Sequence, residues 1–104
     1  MKYLLQIPRS YHAQASSPLW LALHGAYGRA ENAVAMFGAE AEEHGTFLLA
    51  PQATRPCGDC YCWFYARDAK AIQQLLETIF ASHPVDQTRL SLIGHSMGCA
   101  MGCG

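Results

Sequence analysis

Short apolar runs alternate along this chain with longer segments of helical period, and few folds accept that alternation. Tyr3-Leu4-Leu5-Gln6-Ile7 is closed by Pro8, and Leu19-Trp20-Leu21-Ala22-Leu23 runs into His24-Gly25. Thr46-Phe47-Leu48-Leu49-Ala50 stops at Pro51, and Arg89-Leu90-Ser91-Leu92-Ile93 ends at Gly94. The second and third runs are nearly unbroken in apolar character, as parallel strands covered on both faces require. Between Glu31 and His44 the chain is rich in Ala and Glu, with Val34, Phe37 and Ala41 on one face and Gly45 as a stop. A second helix follows Asp68, read as its cap, with Ile72, Leu75, Leu76, Ile79 and Phe80 as one stripe and Pro84 as its bar. Strand, helix, strand, helix, strand predicts a right-handed, doubly wound, mostly parallel sheet with helices on both faces. The fold class is α/β.

With 104 residues there is room for one domain, so 1–104 is read as one unit. Hydrophobic residues make up 51% and charged residues 14%, which suits a packed core and argues against disorder. The formal net charge is −1 with no block of like charge, so nucleic acid and anionic membrane are not expected partners. The first eight residues lack the long apolar region and cleavage site of a signal peptide, and no segment is long enough to span a bilayer. Five cysteines cannot all pair within the chain. Reduced thiols and a cytoplasmic setting are the simpler expectation.

Gly94-His95-Ser96-Met97-Gly98 carries the chemistry. G-x-S-x-G directly after a strand is the spacing of a nucleophile elbow, a tight strand-to-helix turn that lifts a serine hydroxyl above the sheet edge. Gly94 and Gly98 let neighbouring backbone approach without a β-carbon in the way. The Met97 amide, at the positive end of the following helix, is aimed at an oxyanion formed on attack. A Gly-bearing loop, His24-Gly25-Ala26-Tyr27-Gly28, closes the second strand.

With strand, loop and elbow in this order, the chain resembles the N-terminal half of α/β-hydrolase carboxylesterases. Within them it is most similar to the branch of polyhydroxybutyrate depolymerase-like, feruloyl esterase-like and phospholipase/carboxylesterase proteins. The residues that carry the likeness are Leu4 to Pro8, Leu21 to Gly25, Ala50-Pro51-Gln52, Cys62-Trp63-Phe64, Val85-Asp86, Arg89-Leu90, Gly94 to Gly98 and Ala100-Met101. The resemblance implies Ser96 as nucleophile of a carboxylic-ester hydrolase acting through an acyl-enzyme on a small-molecule ester. It implies the Met97 and Ala26 amides as oxyanion donors, with Gly25 N–H as the near alternative to Ala26. His24 is then a support for that loop, and His95 a neighbour of the nucleophile rather than the base. No cofactor is implied. For both amides to reach one oxygen, the strands ending at Leu23 and Ile93 must be neighbours, with the Phe47 strand on the far side of the first.

The resemblance also sets a problem. Family order is Ser, then Asp or Glu, then His, but only Met97, Gly98, Cys99, Ala100, Met101, Gly102, Cys103 and Gly104 follow Ser96. The acid and base are missing from this stretch, and an unassisted serine hydroxyl is a weak nucleophile near neutral pH. A chain ending here is expected to be inactive and poorly stable alone, with its last strand an apolar edge able to associate with a partner. Two readings follow: the nucleophile segment of an esterase completed elsewhere, or a non-catalytic remnant.

Other features invite weaker readings. Cys57, Cys60 and Cys62 include a zinc-like spacing, but a structural zinc site needs four ligands and no second pair is evident, so no metal is expected, and a disulfide involving Cys62 would need an oxidising compartment. A cysteine-based redox module is a third reading, and Cys99 and Cys103 read as buried small hydrophobes. Trp63 and Phe64, after the third strand, are candidates for substrate contact or for packing. His12, His44 and His83 read as surface or capping residues.

Overall fold

The structure is a computed structural model that describes residues 1–9, 16–25 and 28–94. Six strands and two helices are defined among these: β1 (Tyr3–Gln6), β2 (Ser17–Leu23), α1 (Ala30–Glu43), β3 (Phe47–Pro51), β4 (Arg55–Cys57), β5 (Cys60–Cys62), α2 (Tyr65–Ser82) and β6 (Val85–Gly94). Four strands form one sheet in the order β1-β3-β2-β6, and β4 and β5 form a separate hairpin. β2 runs parallel to both β3 and β6, whereas β1 pairs with β3 antiparallel. The chain is an α/β protein with a mixed, mostly parallel sheet.

The strand order meets the sequence expectation at its decisive point. Ala22 pairs with Ile93 and Leu23 with Gly94, so β2 and β6 end side by side, with β3 across β2. The antiparallel β1 departs from an all-parallel sheet. Leu4 meets Ala50 and Leu5 meets Leu49, which closes the outer edge of β3.

Because side chains alternate across a strand, the sheet feeds two cores. Leu19, Leu21, Leu23, Phe47 and Leu49 project to one face and are covered by Ile72 and Ile79 of α2. Ala22, Leu48 and Ala50 project to the other and meet Ala30, Ala33 and Ala41 of α1. Small residues on α1 let that helix lie close to the sheet. Val34 and Phe37, expected on the buried face, sit half-buried at its margin. On α2 the polar positions Lys70, Gln73, Gln74, Glu77 and Thr78 are all exposed, as the periodicity predicts.

The helix ends show which local signals were read correctly. Gly45 adopts φ 63°, the left-handed conformation that a β-carbon disfavours, and its amide bonds Glu42 O to close α1. His44 and His83 are the C-caps of α1 and α2, and His12 lies outside the described residues. α2 begins at Tyr65 rather than after Asp68. Asp68 caps from inside the first turn, its carboxylate reaching back to the Phe64 amide at 2.9 Å. β6 begins at Val85, earlier than Arg89, because an irregularity separates the Ser17–Val85 pair from the continuous register at Leu19–Leu90. Asp86 fills that irregularity, accepting bonds from the Thr88 amide at 2.9 Å and Arg89 Nε at 3.0 Å.

The β4–β5 hairpin was not foreseen, and it corrects the expectation of reduced thiols. Its strands bring Cys57 and Cys62 to a Cα separation of 5.7 Å, and the two form a disulfide. The cysteine argument for a reducing, cytoplasmic compartment therefore falls. Among the described residues no helix is long and apolar enough to cross a membrane.

Candidate active site

The carboxyl ends of β2 and β6 define the site edge. β2 delivers His24 and Gly25, and β6 delivers Gly94, with Leu23 and Gly94 as register partners. Ser96, Met97, Gly98 and Ala26, the expected nucleophile, elbow and oxyanion residues, lie outside the described residues. What the structure describes is the platform on either side of them.

His24 is the centre of that platform. Its side chain is buried, and Nε2 accepts the Ala53 amide at 3.0 Å. An accepting Nε2 puts the proton on Nδ1, which then donates to Gly25 O at 2.7 Å. Gly25 O also receives the Gly28 amide at 3.1 Å, so one carbonyl ties the two described ends of this loop. A β-carbon at Gly28 would sit 2.9 Å from Gly25 O and 3.2 Å from His24 Nδ1, which explains glycine there. Both imidazole nitrogens are engaged, which leaves the ring no free nitrogen with which to take a proton from an attacking hydroxyl.

Burial pushes the His24 imidazole below its ordinary value of 6.5, against the opposing pull of the Gly25 bond and the Asp68 and Glu31 charges. A lowered value in the folded state means the unfolded chain binds the proton first as pH falls. His24 therefore contributes stability above pH 6.5 that is lost as pH drops below it. Long-range nitrogen–proton NMR at pH 6.5 should show His24 neutral with the proton on Nδ1. An imidazole half-protonated at that pH would contradict the assignment.

Trp63 lies under this histidine. The rings stack with centroids 4.7 Å apart, and Trp63 Nε1 donates to His24 O at 2.8 Å. Trp63 is 1% exposed, which removes it as a substrate contact in the described fold. It braces His24 instead, because only a buried partner could satisfy its indole N–H. Phe64 is 43% exposed beside Arg67, whose guanidinium lies 4.7 Å from the ring centroid, and it keeps a free face.

The contacts of three supporting residues are not legible in the sequence, although Asp68 reads as a cap and Gln52 is part of the resemblance. Gln52 Oε1 accepts the first amide of α1, from Ala30, at 2.7 Å. The Ala53 amide orients His24, a backbone role invisible in the residue type. Asp68 is fully buried and accepts from the Phe64 amide, the Thr54 amide at 3.2 Å and the Thr54 hydroxyl. It joins the segment after β3 to the start of α2. A cavity of about 210 Å³ opens on the α1 side of the platform, with His24, Gly25 and Gly28 on one wall and Ala33, Met36 and Phe37 on the other.

No family model and no curated protein matches the sequence. Among solved structures, the crystal structure of a thermostable esterase is similar, with a TM-score of 0.68 and 20% identity over 92% of this chain. The chain spans 30% of the length of that structure. The likeness establishes an esterase-like α/β fold.

Proposed function

We propose that this chain is the nucleophile-bearing segment of a serine hydrolase acting on carboxylic esters of small molecules. Ser96 is the attacking group, and the amides of Met97 and Ala26 stabilise the oxyanion. His24, Gly25, Gly94 and Gly98 hold the two turns in place. The observation that carries the reading is the parallel pairing of Leu23 with Gly94. It ends β2 and β6 side by side, as an oxyanion hole built from the two segments that follow these strands requires. The similarity to a thermostable esterase supports it.

The triad acid and base come from polypeptide outside these residues. The chain spans 30% of the length of the similar esterase, and His24 is fully engaged in holding the loop. The outer edge of β6 is the place for that polypeptide to join. Leu90 and Leu92 there are 38% and 46% exposed, on the face that α2 covers elsewhere.

A fluorophosphonate probe reports on the assembled site, because it reacts with a serine activated by a base. The chain extended through its downstream coding sequence should label, and residues 1–104 alone should not. If the extended protein also fails to label, the chain is a non-catalytic remnant and the esterase assignment is wrong.

A further inference from the structure

The hairpin of three cysteines has no part in ester hydrolysis. Cys57 and Cys60 are register partners across the turn at Gly58-Asp59, and Cys62 lies two residues further along β5. Register partners share one face of a ribbon, and so do residues two apart on a strand. All three side chains therefore belong to the same side. Cys57 and Cys62 use the diagonal of that face for their disulfide, and Cys60 is left as a free, half-buried thiol beside it.

A cation is fixed at the same place. Arg29 Nη2 donates to Asp59 O at 2.8 Å, and the guanidinium lies 5.6 Å from the Tyr61 ring centroid. Both neighbours of Cys60 in the sequence thus hold Arg29, and contact with the Cys60 side chain raises the pKa of the guanidinium. The thiolate is the form of a cysteine that attacks a disulfide.

We propose that this hairpin is a thiol–disulfide exchange site in which Cys60, next to Arg29, displaces Cys62 from its bond with Cys57. The Cys60 thiolate attacks Cys57 Sγ, a Cys57–Cys60 bond forms, the Cys57–Cys62 bond breaks, and Cys62 leaves with the electron pair. The proton lost by Cys60 is regained from solvent by Cys62. One disulfide replaces another, so no outside oxidant or reductant enters the balance. Cys62 is 6% exposed, and a thiolate is poorly solvated there, so the Cys57–Cys62 isomer is the resting one. Exchange frees Cys62, whose neighbour Trp63 stacks on His24, and so loosens the brace beneath the β2 loop.

The linkage can be read directly. Proteolysis before Asp59 and after Tyr61 separates the three cysteines, so each isomer gives a distinct linked pair of peptides. Oxidised protein held at mildly alkaline pH, then quenched with acid and alkylated, should keep Cys57–Cys62 as the main linkage and show Cys57–Cys60 appearing with time as a minor one. Alkylating Cys60 beforehand should prevent this. In Cys62→Ala, oxidised glutathione should join Cys57 to Cys60. The proposal is overturned if unblocked protein yields no Cys57–Cys60 peptide, or if the new linkage forms on Cys99 or Cys103 instead. It is equally overturned if Cys62→Ala leaves Cys57 and Cys60 both open to alkylation.

Discussion

Ser96→Ala, made in a protein that carries the downstream polypeptide, should lower ester turnover by about 10⁴-fold or more and leave stability within about 0.5 kcal/mol. The size follows from what the hydroxyl does. Under the proposed mechanism no acyl-enzyme forms without an attacking oxygen, and the remaining amides can only polarise an ester toward water. The neutrality of stability follows from the proposed role, because a nucleophile-elbow hydroxyl has to face substrate rather than pack. His24 cannot substitute as a base, since its Nε2 lone pair accepts the Ala53 amide and its Nδ1 proton is given to Gly25 O. Turnover of a chromogenic short-chain ester, measured beside the urea midpoint of both proteins, separates loss of chemistry from loss of fold. Retained turnover would remove Ser96 from the mechanism.

The sequence was most legible where one force dominated. On α2 the apolar stripe must face the sheet whatever else happens, and Ile72 and Ile79 are indeed at its buried centre. The pairing of β2 with β6 was legible for a different reason: two amides serving one oxygen constrain two strands to be adjacent. The direction of β1 was not legible, because a four-residue strand has no polarity signal in its side chains. The disulfide was hidden for a related reason. Spacing alone leaves Cys57, Cys60 and Cys62 as ligands, free thiols or a disulfide at Cys62 without a named partner, and only the hairpin register shows which pair meets. Trp63 was ambiguous until His24 O was seen as the acceptor for its indole. Asp68 misled in an instructive way. Its residue type correctly announced a helix start, but a carboxylate in the first turn reaches backward as well as a cap residue reaches forward.

Asp68 also carries the largest expected loss of stability. Asp68→Ala should destabilise the fold by about 3 kcal/mol, and urea unfolding followed by Trp fluorescence would measure it. The carboxylate is fully buried and accepts from the Phe64 amide at 2.9 Å, the Thr54 amide at 3.2 Å and the Thr54 hydroxyl. Removing it takes the acceptor from two part-buried backbone donors and from the Thr54 hydroxyl at once, and a donor left unsatisfied costs more than a made bond contributes. The damage should spread to the site. Thr54 follows Ala53, whose amide sets the His24 tautomer, and Phe64 follows Trp63, which stacks on the same ring. Both amides bond one oxygen, Oδ2, so Asp68→Asn can keep them on its carbonyl oxygen while its N–H₂ faces the Thr54 hydroxyl and the charge is lost; it should fall between the wild type and Asp68→Ala. Thr54→Val, which removes only the hydroxyl and leaves both amides satisfied, should cost about 1 kcal/mol. If Asp68→Ala unfolds at the same urea concentration as the wild type, the carboxylate is not the joint between β3 and α2, and the support assigned to His24 from this side is lost.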